Sequence, residues 1–347
     1  ASVILAWYLE EIHTLGAVTL DGISAYSNGS YGVHLDNPGS TGSLVMKNFG
    51  VYNNFNDNLL LISQGGASLT DGTLDNSTVG NGAQIEIHTG NGSASFTRVA
   101  FNDNNQHGLL LTSAGSVTLT NCEALRNVTH YGARIDNTAG TGGVTIKGSN
   151  SSISSFSNNN EHGLYIKSKG SVSLAYLSVN SAINAGGAYI RNDFGSGNIT
   201  ISNSNFSSNH GGMGLQALTK GSISYNTGDS SNNTGAGVSL DNTPGAPTKK
   251  TVSLTGVMFI NNGDAGIIIN ASGNVTLSNG TSSQNKNDKE GLRVNAGGGV
   301  TIKGSGSNYA HFNSNTNDGI RINAAGPVTF KNVDINNNNH TTLDKGY

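Results

Sequence analysis

A four-residue phrase recurs along the chain: a glycine, an apolar residue, a variable residue and an aliphatic residue. Eleven glycines and one asparagine open it, at Gly32, Asn58, Gly82, Gly108, Gly132, Gly163, Gly187, Gly214, Gly237, Gly266, Gly291 and Gly319. The second and fourth positions are apolar in every copy, whereas the third is mixed, as in His34, Tyr165 and Arg293. Apolar residues two apart around a variable one indicate a strand with one buried face.

Two more strands are predicted after each phrase. The second strand of each coil has a sequence such as Val117-Thr118-Leu119. The residue two positions after its last inward residue is mostly of a type that tolerates positive φ. We therefore predict a left-handed corner at Asn48, Asp71, Asn121, Gly148, Asn203, Gly256, Asn279, Gly304 and Asn332, with Arg98, Tyr176 and Thr227 departing in residue type. A weaker third strand follows, in which Cys122 and Ala124 align with Val333 and Ile335 as the inward pair.

The spacing of the phrases decides how these strands pair. Successive starts lie 23 to 31 residues apart, and three short strands in that length do not read as hairpins. Each strand instead pairs with its equivalent one coil away, at about 4.8 Å per coil, through right-handed crossovers. We predict an all-β, right-handed parallel β-helix of about 12–13 coils, with three short parallel sheets and alternating short and long coils.

The two ends fit this repeat differently. Residues 1–15, with the single Trp7, match no coil, so we expect an irregular N-terminal cap or junction there, followed by the solenoid over residues 16–347. Gly346 would open a further coil, and no polar cap is recognisable after it. Because solenoids need polar caps, the sequence is expected to be a section of a longer array.

Composition excludes several classes of function. Only 11% of residues are charged and the net charge is −3, without a basic block for nucleic acid. No apolar run reaches the roughly 18 residues that predict a membrane span. Cys122 is the only cysteine, so no internal disulfide can form.

The Gly-aliphatic-x-aliphatic phrase and the Asn-containing turns resemble those of right-handed parallel β-helix repeat proteins, the pectate-lyase-like fold group. The resemblance covers about residues 16–347 and extends to pectate lyases, polygalacturonases, phage tailspikes and bacterial surface adhesins. It implies the fold but not one function. For the enzymes of this group, the resemblance implies clustered Asp residues in the active site. This sequence has no Asp-Asp pair. Asp36, Asp136 and Asp241 share a register, but each lies four coils from the next, roughly 19 Å. We therefore predict no catalytic residues, no cofactor and no metal site.

The outward column of the first strand contains a candidate contact face: Leu60, Leu110, Tyr165, Tyr189 and Ile268. Exposed apolar patches often mark contact surfaces, so we expect self-association, end to end or lateral, or binding of surface glycans. We expect a non-catalytic extracellular or cell-surface repeat protein with a structural or adhesive role, as a filament, sheath or adhesin shaft. In character it is closest to bacterial surface adhesins and structural repeat proteins. The alternatives are a polysaccharide lyase or glycoside hydrolase, and a glycan-binding module. An acidic cluster on neighbouring coils would favour the enzyme.

Overall fold

The chain forms a parallel β-solenoid. The computed structural model describes residues 12, 14, 16–39, 41–87, 92–245, 248–286, 289–306 and 309–339. These residues contain 31 strands and no helix, and all their strand pairs are parallel. Each strand pairs with its equivalent in the neighbouring coils, as the spacing of the phrases predicts.

The first sheet consists of the strands that the phrase predicts. Its twelve strands are Val33–Asn37, Leu59–Ser63, Ala83–Ile87, Leu109–Ser113, Ala133–Asn137, Leu164–Ser168, Ala188–Asn192, Leu215–Thr219, Val238–Asp241, Ile267–Ala271, Leu292–Ala296 and Ile320–Ala324. All twelve starts are confirmed. The predicted columns are also in register, since Val33 aligns with Leu59, Leu59 with Ala83, and so on through Ile320.

The second sheet contains 19 strands and bends around a corner. In six coils one strand runs through the bend: Leu44–Tyr52, Ala67–Asp75, Ala94–Ala100, Ile199–Asn205, Ile223–Asp229 and Val252–Ile260. The others are Val18–Asp21, Ser24–Tyr26, Val117–Thr120, Val144–Lys147, Ser154–Ser155, Val172–Ala175, Leu177–Ser178, Val275–Ser278, Thr281–Ser283, Val300–Lys303, Ala310–His311, Val328–Lys331 and Val333–Asp334. The three predicted strand columns are therefore present, with the second and third joined into one bent sheet.

Left-handed residues make the bend. Asn48, Asp71, Asn121, Asn203, Gly256, Asn279 and Asn332 have positive φ, as predicted, and so do Arg98, Tyr176 and Thr227 despite their residue types. The prediction is wrong at Gly148 and Gly304, which are not among the positive-φ residues. After Gly148 the chain instead forms a short turn, closed by an antiparallel bridge between Ser149 and Ser152.

A second left-handed column, which the sequence reading missed, ends the third strand. It comprises Ser27, Asn53, Asn76, Asp103, Arg126, Asn158, Ser181, Ser208, Asn232, Asn261, Gln284, Ser314 and Asn337. Most of these residues lie five positions after the first corner, as Asn53 does after Asn48. Asn158 and Ser314 lie ten positions after Gly148 and Gly304, so each of those two coils has five inserted residues.

The core follows the inward columns. Ile166 and Ile190 of the first sheet and Leu174 of the second are 0% exposed. The inward assignment of Cys122 and Ala124 is confirmed, because they are 1% and 0% exposed. Val333 packs against the core from a half-buried position, whereas Ile335 is 45% exposed, since no described coil covers it.

A ladder of asparagines runs inside the turn after the second left-handed column. Backbone N–H groups donate to the Oδ1 atom of the asparagine one coil on, at 2.9–3.1 Å, from Asn28, Asn104, Asn127, Asn209, Asn233, Asn262, Asn285 and Asn315. Most of these asparagines also donate from Nδ2 to the same oxygen. The ladder thus satisfies backbone donors in a buried turn, where an unpaired group would be costly.

The predicted alternation of coil length holds over most of the rod. Long first corners at 38–43, 138–143, 193–198 and 242–251 alternate with short ones such as 64–66 and 114–116. The last corners, 297–299 and 325–327, are both short, so the alternation stops there. Of the predicted cap, Ile12 is bridged to Leu35, while Trp7 and Gly346 lie outside the described residues.

Candidate functional site

Two columns of side chains place aromatic rings together on the outer face of the first sheet. His107, Tyr131 and His162 precede the glycine that opens the phrase in successive coils, and Tyr165 and Tyr189 are outward residues of adjacent strands. His130 lies beside this group. Because equivalent residues stack at about 4.8 Å per coil, neighbouring coils bring the rings into contact. These six residues are called the aromatic patch.

The rings of the aromatic patch touch in an unbroken series. His107 stacks on Tyr131 at 5.2 Å between centroids, with an interplanar angle of 7°. Tyr131 stacks on His162 at 6.0 Å, and it contacts Tyr165 at 5.3 Å. Tyr165 and Tyr189 meet edge to face at 5.4 Å. His107 also stacks on His130 at 4.9 Å. The result is a ring surface that spans four coils, about 14 Å along the axis.

Burial keeps the central rings uncharged near neutral pH. His107 is 7% exposed, and burial, with His130 and Arg134 nearby, lowers its pKa to about 3. Its Nδ1 atom accepts a hydrogen bond from the backbone N–H of Tyr131 at 3.3 Å. Burial likewise lowers the pKa of His162, and burial together with Glu161 raises the pKa of Tyr131. Tyr131 and His162 are half-buried, and uncharged rings at such positions suit contact with an apolar or amphipathic ligand face.

Charged side chains border the aromatic patch. The Lys167 ammonium lies 5.8 Å from the centroid of Tyr165 and 4.0 Å from the carboxylate of Asp136. Arg191 pairs with Asp193 at 2.8 Å and lies over the ring of Phe194 at 4.8 Å. These groups offer hydrogen-bond donors and acceptors beside the rings, as a site for a polyhydroxylated ligand requires.

The five residues of the predicted contact face differ in exposure. Tyr165 and Tyr189 are in the aromatic patch, and Leu110 is half-buried on the same sheet. Leu60 and Ile268 also belong to the outward column, but each is only 8% exposed. Ile268 packs with Ala236, Ala265 and Met213, so these two residues do not supply an exposed stripe. The sequence reading missed His107, Tyr131 and His162 as partners of the tyrosines, although their shared place before the glycine was a usable signal.

An acidic cluster lies on the outer face of the third strand. Asp75, Asp103 and Glu123 come from three neighbouring coils around Asn102. The Asn102 backbone N–H donates to Asp75 at 2.6 Å, and its Nδ2 donates to Glu123 at 2.7 Å. Burial, opposed by the Asn102 hydrogen bond and reinforced by Glu123 and Asp103, raises the pKa of Asp75 to about 6. The sequence reading missed this cluster because it lies in the third strand, which has the weakest pattern.

Metal and thiol chemistry find little support in the described part of the chain. Among its residues no group of three His, Cys, Asp or Glu side chains is placed to hold a metal ion. Cys122 is a buried free thiol whose pKa is raised by burial to about 11, so it stays protonated at neutral pH. The described residues contain no helix, and hence none that is long and apolar enough to cross a membrane.

Comparison with protein families agrees with this architecture. The model of the right-handed β-helix region matches residues 142–313. These residues belong to the right-handed β-helix family. On both sides of the match, the described residues between 16 and 339 form coils of the same kind. Neither the curated proteins nor the solved structures contain a match to the chain.

Proposed function

We propose that this β-helix is a non-catalytic extracellular or cell-surface protein that binds a glycan along the aromatic patch. The observation that carries the proposal is the unbroken contact of six rings over four coils. Flat neutral rings stack on the apolar faces of sugars, while the bordering charges bind hydroxyl groups. An adhesive shaft fits such a site because the rod presents it on a rigid face.

Affinity electrophoresis tests the proposal. The protein is run through native gels cast with neutral, uronic-acid and sulfated polysaccharides, and at least one of them should retard it. Replacing Tyr165 and Tyr189 by alanine removes two stacking surfaces of about 1 kcal/mol each. The apparent affinity should then fall about 30-fold.

A matched variant controls for a general effect of losing tyrosine. Tyr309 is 50% exposed and lies away from the first sheet, so Tyr309→Ala should leave the retardation unchanged. Retardation that is absent with every polysaccharide, or that survives the double substitution, would overturn the proposal.

The acidic cluster supports a second candidate, a glycoside hydrolase. Hydrolysis of a glycosidic bond uses two carboxyl groups, one of them protonated at the working pH. Asp75, with its pKa at about 6, would be the acid, and Glu123 its partner. We expect no release of reducing ends from the polysaccharides that bind. Release that is abolished by Asp75→Asn would establish the enzyme instead.

A further inference from the structure

Two arginines lie side by side on the first sheet, well away from the aromatic patch. Arg293 and Arg321 occupy the same outward position in adjacent strands and are paired in register. Their backbones are therefore about 4.8 Å apart. Like charges directly opposite on neighbouring strands destabilise a sheet, so the pair needs compensation.

Buried Glu290 supplies part of that compensation. It is 3% exposed, and its Oε1 and Oε2 atoms lie 3.3 Å from Arg321 Nη1 and 3.9 Å from Arg293 Nη1. Glu290 is thus the one carboxylate that the described residues pair with both guanidinium groups. Asp318 holds the place of Glu290 in the next coil.

The other ion-paired arginines show what full compensation looks like. Arg98, Arg126 and Arg191 each direct two nitrogens to both oxygens of their own aspartate. Arg293 and Arg321 share one carboxylate and contact it through one nitrogen each. A guanidinium carries five N–H donors, so Glu290 leaves much of the donor capacity of this pair unused. The Arg321 side chain is 69% exposed.

A column of asparagines lies beside the two arginines. Asn270, Asn295 and Asn323 are in register on the same three strands, and Asn295 Nδ2 donates to Asn270 Oδ1 at 2.9 Å. The arginines and these asparagines line a surface groove of about 520 Å³, with Ile268 at its end. Guanidinium and amide donors along one groove are the groups that bind oxyanions.

We infer that this groove, the arginine groove, is a binding site for an oxyanion, either a carboxylate or a sulfate group of a ligand. It shares the outer face of the first sheet with the aromatic patch, since Tyr189 and Arg293 are four coils apart, about 19 Å. The inference stands independently of glycan binding, because it rests on the charges and donors of the groove alone.

Selective labelling of arginine with ¹⁵N tests the site on the intact chain. The sequence contains six arginines, so the Nε–Hε signals are few and can be assigned by substitution. Sodium sulfate and sodium acetate are titrated separately, with sodium chloride holding the ionic strength constant. The signals of Arg293 and Arg321 should shift saturably, while those of Arg98, Arg126 and Arg191 stay in place. The anion that binds more tightly identifies the group that the site prefers.

Two variants make the result specific. Arg321→Gln, at an exposed position, should weaken the response of Arg293 at least tenfold. Lys331→Gln removes the same charge from the same coil, but on the second sheet, and should leave the response intact. Shifts that rise without saturation in all arginines alike, or a saturable response that survives Arg321→Gln, would overturn the inference.

Discussion

Asn58 is the one position where the phrase that opens each coil lacks its glycine, and the hydrogen bonds of its side chain give the reason. The asparagine ladder is interrupted twice, at Ser77 and at Ala182. Asn58 fills the gap at Ser77, since its Oδ1 accepts from Asn54 Nδ2 at 2.8 Å and its Nδ2 donates to Asn104 Oδ1 at 3.2 Å. One exception to the repeat therefore compensates another.

This compensation predicts coupling between residues 58 and 77. Asn58→Gly should lower the free energy of unfolding by about 2 kcal/mol, because buried ladder groups lose their partners. Adding Ser77→Asn should restore most of that loss, while Ser77→Asn alone crowds Asn58 and destabilises. Denaturant unfolding of the four proteins measures the interaction. Strictly additive effects would show that Asn58 does not bridge the ladder.

The raised pKa of Asp75 makes the stability of the folded protein depend on pH. Its pKa of about 6 in the folded protein lies above the ordinary value of 3.8, so the folded state holds the proton more tightly than the unfolded state. The contribution of Asp75 to stability is therefore fully present below pH 4 and is lost as pH rises to 6. Across that range the melting temperature of the wild type should fall relative to that of Asp75→Asn. A constant difference between the two proteins would contradict the raised pKa.

Single residues were predictable from the sequence where their column was uniform. The inward positions of the first strand are apolar in every copy, so their burial followed from a period of two. The asparagine ladder did not follow, because Asn in a turn is equally typical of an exposed loop. Only the stacking of coils shows that these amides face inward and bond to one another.

At the scale of single elements, the left-handed corner is set by the coil rather than by residue type. Arg98, Tyr176 and Thr227 take φ values of 52°, 55° and 51°, although non-glycine residues rarely adopt them. The pairing of each strand with both neighbouring coils fixes the backbone there. Residue type predicted most corners but failed at Gly148 and Gly304, where the glycine instead precedes the five inserted residues of its coil.

Thr227 offers a direct test of that strain. It is exposed and β-branched, so replacing it by glycine loses little packing and relieves a conformation that costs about 1 kcal/mol. Thr227→Gly should raise the free energy of unfolding by about that amount. Thr255→Gly, at an exposed position inside the strand Val252–Ile260, should lower it by about 0.5–1 kcal/mol. Equal signs for the two substitutions in denaturant unfolding would contradict the assignment.

Over the whole molecule, the repeat makes the fold predictable and the function much less so. Twelve matching phrases specify a parallel solenoid, because every strand must pair with its equivalent. The aromatic patch and the acidic cluster depend on which outward residues become neighbours across coils, through turns of variable length. His107 and Tyr165 lie 58 positions apart in the sequence, yet both belong to one ring surface.

Lateral self-association remains a prediction for the whole rod. Half-buried Tyr165 and Tyr189 could desolvate against a second copy as well as against a sugar. Sedimentation velocity at rising concentration should show oligomers, and Tyr165→Lys with Tyr189→Lys should reduce them without lowering the melting temperature, since neither ring is in the core. A protein that stays monomeric at every concentration would rule out a second copy of the chain as a partner.

The central claim, that the aromatic patch binds a glycan, is tested most directly by a crystal structure of the protein with an oligosaccharide from the polysaccharide that retards it most. The account predicts sugar rings stacked on Tyr165 and Tyr189, with hydroxyl groups contacting Lys167 or Arg191. Sugar bound across Asp75 and Glu123, with the aromatic patch empty, would contradict it.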